Sequence, residues 1–200
     1  MNKKIDVLIL AAGSASRMGE IKQLLPWQDT TLLGNAIQTA KNCNGRNTYV
    51  VLGAKANSII ETIEEVGCTY LINTNWKFGM GTSLSHGIKN IVKLKDPPDA
   101  ILVMVADQPY MNTSYLNTII DLYITGNKKI VATEYENKLG VPAIFNSSLF
   151  SELQALDGDV GASKIIKANL SDSIGLKAGK KVIDLDTPTD YKKHTFINKS

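Results

Sequence analysis

The sequence predicts an α/β fold in which a mostly parallel central sheet carries helices on both faces. Three observations lead to this class. Apolar runs rich in β-branched residues recur along the chain, and they are continuous rather than alternating, as in strands buried on both faces. Segments with apolar residues at helical spacing separate these runs. Strands that alternate with helices pair in parallel through right-handed crossovers.

The first half of the chain follows this alternation closely. Strands are predicted at Val7–Leu10, Thr48–Gly53, Thr69–Asn73 and Ala100–Ala106. Three helices are predicted between them, the first after an N-cap at Thr30 or Thr31. Their apolar positions are Leu32, Leu33, Ala36, Ile37 and Ala40, then Ile59, Ile60, Ile63 and Val66, then Leu84, Ile88, Ile91 and Val92. This order places parallel strands side by side, with the helices packed above and below them.

The second half is less regular but continues the same classes of element. Strands are predicted at Lys129–Tyr135, Val141–Asn146 and Lys181–Leu185, and helices at Leu149–Leu156 and Ala162–Asn169. We find no internal repeat, low-complexity tract or linker. The chain is therefore predicted to form a single domain over residues 1–200.

Composition excludes several classes of function. With 44% hydrophobic and 20% charged residues, the chain has the composition of a globular protein. A net charge of +3 with scattered basic residues argues against nucleic-acid binding, and no apolar run is long enough for a membrane helix. Cys43 and Cys68 are isolated thiols without a metal-binding pattern, which favours a reducing compartment. We expect a cytoplasmic protein that binds neither nucleic acid nor membrane.

The stretch VLILAAGSASRMGEIKQLLPW, residues 7–27, is the first candidate for chemistry. The buried strand ends at Leu10, and Ala11, Ala12 and Gly13 after it have little or no side chain, so that a ligand can approach the backbone amides closely. Arg17 and Lys22 follow, a guanidinium fork and a mobile point charge, both suited to phosphate oxygens. The glycine spacing matches neither a P-loop nor a dinucleotide fingerprint. A polyphosphate cradle and a tight turn with solvated charges are both compatible with this pattern.

Carboxylates follow two other predicted strands. Asp107 stands directly after the strand at Ala100–Ala106, and Asp184 and Asp186 lie at the end of the last predicted strand. Ligands of open parallel sheets bind beyond the carboxyl ends of the strands, and Mg²⁺ takes one or two carboxylates together with phosphates. Asp107 is therefore a metal candidate, with Asp186 ahead of Asp184 as its partner. Asp107 could also simply form a turn before proline.

The segment Thr187–Asp190 has a different interpretation. Thr187 and Asp190 have the spacing of a helix N-cap and its reciprocal acceptor, and Pro188 fits the first helical position. Asp190 is therefore predicted to cap a helix rather than to bind a ligand.

A second loop rich in small residues precedes the third predicted helix. Gly79 and Gly81 flank Met80, and the hydroxyls of Thr82 and Ser83 stand at the helix start. Free amides and hydroxyls at such a position could bind a base or a sugar, or could serve only as a cap. Neither His86 nor His194 is predicted to act in catalysis.

These motifs together resemble a known family. LAAGSASRMGEIKQLLP is similar to the signature of nucleotidyltransferases, and DQP, GMGTSLSHGI, GVPAIF, GDVGA and DLDTPTDY are similar to motifs of the molybdenum cofactor cytidylyltransferases. The resemblance runs from Val7 to about Tyr191. It implies a Rossmann-like nucleotidyltransferase fold that transfers CMP from CTP to the terminal phosphate of molybdopterin carrying molybdenum.

The resemblance also implies roles for the residues that match its motifs. Leu10–Gly13, Arg17 and Lys22 would hold the triphosphate, Asp107 and Asp186 would hold Mg²⁺, and Gly79–Ser83 would lie near the nucleoside. Gly140–Pro142 and Gly158–Ala162 would face the acceptor. A molybdenum hydroxylase is a possible client for the product.

Three positions depart from patterns seen in this superfamily. Ser14–Ser16 stand where many sugar nucleotidyltransferases have an extra glycine, which weakens a sugar-nucleotide interpretation more than a molybdopterin one. Ala12 stands where guanylyl-transferring relatives usually have glycine, which modestly favours CTP over GTP. Ser163 stands where the family often has arginine, which leaves the acceptor contacts in doubt. The alternatives are transfer to a sugar or polyol phosphate, transfer of GMP to molybdopterin, and a non-catalytic chaperone that holds the finished cofactor.

Overall fold

A computed structural model describes residues 3–14, 18–63, 67–136 and 138–196. Its main sheet has seven strands in the order β5-β4-β1-β6-β8-β7-β9, and β2 and β3 form a separate two-stranded sheet. The strands are β1 (Ile5–Ala11), β2 (Pro26–Trp27), β3 (Thr30–Thr31), β4 (Thr48–Leu52), β5 (Thr69–Ile72), β6 (Ala100–Val105), β7 (Ile130–Tyr135), β8 (Lys138–Asn146) and β9 (Ser173–Lys177). Only β8 runs against the others in the main sheet, because it pairs antiparallel with β6 and β7 while the remaining pairs are parallel. The predicted mostly parallel sheet is confirmed.

Seven α-helices connect or flank these strands within the described ranges. They are α1 (Leu32–Lys41), α2 (Ala56–Ile63), α3 (Met80–Ile91), α4 (Thr113–Thr125), α5 (Phe150–Gln154), α6 (Ser163–Ala168) and α7 (Pro188–Phe196). The N-cap of α1 is Thr31, whose hydroxyl accepts a hydrogen bond from the Gly34 amide at 3.0 Å. In the part of the chain that these ranges cover, no helix combines the length and apolarity needed to cross a membrane.

The sheet separates two apolar cores, and β1 shows why. Its side chains alternate, so that Ile5, Val7 and Ile9 face one core while Leu8 and Leu10 face the other. Helices α1, α2 and α4 pack on the first face, and α3, α5 and α6 pack on the second. Every residue of β1 is buried, which explains the continuous apolar run that begins at Val7, and the buried Asp6 before it pairs with Arg46 at 2.8 Å. Helices therefore cover both faces, as the sequence predicts.

The register of the central strands brings their carboxyl ends together. Leu10 of β1 lies opposite both Val51 of β4 and Val105 of β6. The Ala106 amide donates to the Leu10 carbonyl at 3.2 Å, so the chain that follows β6 leaves beside the chain that follows β1. This register places the small-residue loop after β1 next to Asp107.

The C-terminal region differs from the prediction in one element. The predicted strand at Lys181–Leu185 is wrong, because Lys181 ends a short 3₁₀ turn and the residues after it have no strand structure. The position beside β7 is taken instead by β9, which the sequence analysis did not identify. Leu185 is fully buried and packs in a small cluster with Met18, Leu25, Trp27 and Leu32. Packing into that cluster explains the apolar character of this segment.

The predicted cap of the last helix is confirmed. Both the amide and the hydroxyl of Thr187 donate to the Asp190 carboxylate, at 3.0 and 2.7 Å, and the Asp190 amide donates back to the Thr187 hydroxyl. These bonds lower the pKa of Asp190, chiefly through the Thr187 hydroxyl. Asp190 is therefore a capping residue of α7.

Candidate active site

A cleft of about 490 Å³ opens at the carboxyl edge of the sheet. It lies between the loop after β1, the loop before α3, and the ends of β6 and of the C-terminal segment. The predicted site residues that line it are Leu10, Ala11, Ala12, Gly13, Lys22, Gly79, Ser83, Asp107 and Asp186. Residues far apart in sequence thus meet at one site, at the edge where parallel sheets bind ligands.

Three charged side chains form the floor of this site. The Lys22 ammonium donates to Asp107 Oδ2 and to Asp186 Oδ1, both at 2.9 Å. The Lys22 side chain is 14% exposed, against 32% for Asp107 and 52% for Asp186. Within the part of the chain that the structure describes, these two bonds leave one ammonium hydrogen for a ligand. One cation and two carboxylates therefore meet in the cleft at the carboxyl edge of the sheet.

Each member of this group is fixed by its local structure. Lys22 begins a 3₁₀ turn that is closed by the Leu25 amide donating to its carbonyl at 3.2 Å. Asp107 follows β6 after a single intervening residue. Asp186 follows Leu185, whose burial and whose amide bond to the Asp107 carbonyl at 3.0 Å hold the C-terminal segment against the end of β6.

The loop after β1 turns its carbonyl groups toward the protein. The amide nitrogen of Gln23 donates to the Ala11 and Gly13 carbonyls at 2.7 and 2.9 Å, and the Ala54 amide donates to the Ala12 carbonyl at 3.2 Å. Among the described residues, none accepts a hydrogen bond from the N–H of Gly13 or Ser14. The loop therefore presents donors rather than acceptors to the cleft, as an anion cradle requires.

Gln23 was not identified as a site residue from the sequence. It is 7% exposed, and its role depends on which carbonyls it reaches. Its position directly after Lys22 was the only available signal.

The loop before α3 has a conformation that requires glycine. Gly79 has φ +116°, and a Cβ there would lie 2.3 Å from the backbone carbon of Gly158. The Gly81 amide donates to the Gly158 carbonyl at 2.8 Å, so the loop Asp157–Val160 clamps this turn. The predicted Gly158–Ala162 segment thus contacts the predicted nucleoside loop, and its Asp159 lines the cleft.

The hydroxyls of Thr82 and Ser83, in the first turn of α3, are partly committed to the protein. The single hydrogen of the Thr82 hydroxyl lies within reach of the Gly79 carbonyl at 2.8 Å and the Asn75 carbonyl at 3.1 Å, and the oxygen accepts from the Asn73 side-chain amide, so Thr82 stabilises the turn. The Ser83 hydroxyl accepts from Asn73 at 3.0 Å and lies at the cleft. Ser83 is therefore better placed than Thr82 or Gly81 to contact a ligand.

Of the predicted site residues that the structure describes, Gly81, Thr82, Gly140 and Pro142 do not line the cleft. Gly140 and Pro142 belong to β8 and pack against β7, where the Pro142 carbonyl accepts from the Thr133 hydroxyl at 2.7 Å. Their assignment to the acceptor side stays a prediction. Arg17 lies outside the described residues, and its phosphate-binding role also stays a prediction.

Behind Asp107 lies a hydrogen-bonded group that includes Asp184. The Gln108 amide nitrogen donates to Asp184 Oδ1 at 2.8 Å and to the Tyr135 hydroxyl at 2.7 Å. Surrounding protein displaces water from the Asp184 carboxyl and raises its pKa, and Asp107 and Asp186 raise it further. Asp184 thus contacts Gln108, while Asp186 contacts Lys22. Neither Gln108 nor Tyr135 was identified from the sequence.

The residues present fit a divalent cation. Asp107 and Asp186 both contact one cationic nitrogen from partly exposed positions, so their oxygens already share a positive charge. In the described ranges no group of three or more metal-ligating side chains occurs. A pair of carboxylates is the protein contribution expected where phosphates and waters complete the coordination of Mg²⁺.

This fold and cleft define a nucleotidyltransferase with a Rossmann-like sheet. The family model of the MobA-like NTP transferase domain matches residues 7–174, and the chain belongs to this family. The matched segment contains Lys22, Asp107 and the loop before α3, while Asp186 lies beyond its end.

Curated relatives share about a quarter of their residues with the chain. The purine catabolism protein PucB of Bacillus subtilis is 25% identical, with 92% of each chain covered. The nicotine blue oxidoreductase of Paenarthrobacter nicotinovorans is 25% identical, with 80% of each covered. The molybdenum cofactor cytidylyltransferase of Escherichia coli is 22% identical, with 94% of this chain and 93% of the relative covered.

Solved structures show the same architecture. Rv0371c from Mycobacterium tuberculosis H37Rv superimposes with a TM-score of 0.84 at 28% identity, covering 96% of this chain and 97% of its own. A manganese complex of Rv0371c from the same organism matches with a TM-score of 0.76 at 26% identity, and the match covers 95% of this chain and 97% of the Rv0371c chain.

Proposed function

We propose that this protein transfers CMP from CTP to the terminal phosphate of a molybdopterin-type acceptor and releases pyrophosphate. The observation that carries the proposal is the convergence of Lys22, Asp107 and Asp186 opposite the free amides of the loop after β1. Membership of an NTP transferase family supports a nucleoside triphosphate as the donor. The similarity to a molybdenum cofactor cytidylyltransferase over nearly the whole chain supports the choice of CTP and of the acceptor.

The proposed reaction is an in-line displacement at phosphorus. An oxygen of the acceptor phosphate forms a bond to the α-phosphorus of CTP. The bond between that phosphorus and the oxygen leading to the β-phosphate breaks, and pyrophosphate leaves with this oxygen. Because the attacking oxygen is already anionic, the step needs no general base, which agrees with a floor built from a lysine and carboxylates rather than from a proton shuttle.

The task of the protein is then to align two polyanions and to stabilise charge on the leaving group. The amides of Gly13 and Ser14 would hold phosphate oxygens, and the Lys22 ammonium would contact the oxygens on which charge grows. Asp107 and Asp186 would hold Mg²⁺, which when bound withdraws electron density from phosphate oxygens. Ser83 and the turn at Gly79 would contact the nucleoside.

Pyrophosphate release with a panel of nucleotides tests this proposal. The protein is incubated with CTP, GTP, ATP or UTP, with Mg²⁺ and with molybdopterin carrying molybdenum. We expect release that depends on both CTP and the acceptor. Release with GTP would assign guanylyl transfer, and release only with a sugar or polyol phosphate would assign the corresponding transferase. Tight CTP binding without release with any acceptor would replace the proposal by a nucleotide-binding regulatory module. Tight binding of the finished cofactor without release would replace it by the chaperone function.

Substituting Gly13 by alanine should weaken nucleotide binding without unfolding the protein. A Cβ at Gly13 meets no atom of the described residues within 4 Å, so among them the methyl group would extend into open space at the cleft. We expect the KM for the nucleotide to rise about tenfold, the cost of one impaired hydrogen bond to phosphate. Steady-state kinetics and thermal unfolding measure the two quantities.

Gly87→Ala is a suitable contrast for this substitution. A Cβ at Gly87 would lie 2.7 Å from the Leu8 side chain in the core, so the unfolding midpoint should fall while the KM stays near the parent value. An unchanged KM in Gly13→Ala would show that the loop after β1 does not approach the triphosphate.

A further inference from the structure

Gln108 occupies an unusual position directly behind the floor of the cleft. It follows Asp107 in the chain and is 5% exposed. Its amide nitrogen donates to Asp184 at 2.8 Å on one side and to the Tyr135 hydroxyl at 2.7 Å on the other. One buried amide therefore joins the C-terminal segment to strand β7.

The neighbours of Gln108 fix the orientation of its amide. The Tyr135 hydroxyl donates its hydrogen to the Val141 carbonyl, and burial raises the pKa of Tyr135 to about 12, so the phenol remains neutral. The Tyr135 phenol oxygen and the Asp184 carboxylate both act as acceptors here. The nitrogen end of the Gln108 amide supplies the two hydrogens they need, and the oxygen end supplies none.

This orientation leaves the other end of the amide without a partner. Among the described residues, Gln108 Oε1 is buried and accepts no hydrogen bond. Burying an unpaired acceptor is costly, so packing alone does not account for an amide at this position. The two bonds made by the nitrogen are what the amide contributes to the structure.

The segment that Gln108 holds is joined to the end of β6 by few bonds. Residues 182–186 have no sheet ladder, and Asp186 stands two residues before the start of α7. Val182, Ile183 and Leu185 pack against the apolar clusters, and the Asp186 backbone bonds to the Asp190 carboxylate of α7. In the described ranges the bonds from the segment to the chain after β6 are the Leu185 amide on the Asp107 carbonyl and Gln108 on Asp184, while Lys22 contacts Asp186 from the loop after β1.

We propose that Gln108 is a positioning residue that locks the C-terminal segment to the end of β6, so that Asp186 stays beside Asp107, with both carboxylates at the Lys22 ammonium, where they can bind one divalent cation. The inference rests on the proposed function for the assignment of a divalent cation to Asp107 and Asp186, and it does not depend on the identity of the nucleotide. Gln108 touches no reacting atom in this scheme and acts through Asp184 and the backbone between Asp184 and Asp186.

Hydrogen exchange tests the positioning without any substrate. Gln108→Met removes both bonds and the unpaired oxygen while keeping an unbranched side chain of similar length. We expect the Leu185 amide, followed by NMR, to exchange about tenfold faster, the factor for losing a hydrogen bond to a carboxylate. Gln38→Leu, on the exposed face of α1, is the matched control and should leave this exchange unchanged.

A second pair of variants tests the hydrogen bond between Gln108 and Asp184 by changing Asp184. Asp184→Ala removes the acceptor and should also accelerate exchange at Leu185. Asp184→Asn keeps an oxygen that can accept from Gln108 and should restore slow exchange. This pair keeps the test decisive if Gln108→Met does not fold.

Manganese binding tests the consequence for the cation. We expect Mn²⁺ titration followed by EPR to give a dissociation constant about ten- to a hundredfold higher for Gln108→Met than for the parent, as for other residues that orient metal ligands. Unchanged exchange at Leu185, or unchanged Mn²⁺ affinity, would overturn the positioning role. Absence of pyrophosphate release from the parent would contradict the proposed function alone, because neither readout uses a nucleotide.

Discussion

Lys22→Ala is expected to lower the rate of pyrophosphate release about 100- to 1,000-fold at saturating CTP and Mg²⁺. The ammonium is the one described cation that contacts both Asp107 and Asp186, and it lies opposite the amides that would hold the phosphates. A donor preplaced where charge develops in the transition state contributes about 3 to 4 kcal/mol. Single-turnover kinetics report the chemical step directly.

The fold should tolerate this change. The Lys22 partners are partly exposed to water, so the loss of the ion pairs should cost about 1 kcal/mol or less. Thermal unfolding and circular dichroism check this point. Lys89→Ala, on an exposed face of α3, removes an equal charge away from the cleft and should keep parent activity. Parent turnover in Lys22→Ala would remove Lys22 from the mechanism.

Much of the sheet could be predicted from the sequence, because a strand buried on both faces has a continuous apolar run of residues. The continuous apolar run of β1 is explained by two cores that both require its side chains. The caps at Thr31 and Thr187 were also predictable, since a cap depends only on residues three positions apart. Features determined by local sequence or by complete burial were therefore recovered.

The edge of the sheet was harder to predict, and β9 shows the reason. Its residues Ser173–Lys177 are half-buried or exposed, and Gly175 stands in its centre, so neither apolarity nor propensity indicates a strand. The segment Lys181–Leu185 has the stronger strand pattern. However, its apolar residues Ile183 and Leu185 pack with Trp27, and the place beside β7 is already occupied by β9. Only the tertiary arrangement decides between two such segments.

The same distinction applies to the site. Lys22 and Asp107 could be singled out because charged residues after buried strands are conspicuous in a sequence. Asp186 was singled out on the same ground, although the strand predicted before it does not form. Gln23 and Gln108 could not be singled out, since a glutamine is informative only when its partners are known. Gln23 shapes the phosphate loop through two carbonyls, and backbone carbonyls leave no trace in the sequence.

Asp107→Asn is expected to lower turnover about 1,000-fold, which corresponds to about 4 kcal/mol of transition-state stabilisation. The substitution keeps the size of the side chain and the carbonyl that binds the Leu185 amide, but it removes one of the two charges that would hold Mg²⁺. The Mg²⁺ concentration that gives half-maximal rate should therefore rise together with the loss of turnover. Asp121→Asn, on an exposed face of α4, is the control and should change neither quantity.

Combining the two substitutions separates a shared role from independent ones. Lys22 and Asp107 contact each other at 2.9 Å, so their effects should not add. If they act on the same triphosphate, the double variant should lose little more activity than Asp107→Asn alone. When two residues act as a unit, removing one already removes most of the contribution of the other. Fully additive losses would mean that the two side chains serve separate steps. An unchanged Mg²⁺ requirement in Asp107→Asn would place the cation elsewhere, and Asp186 would then lose its proposed partner.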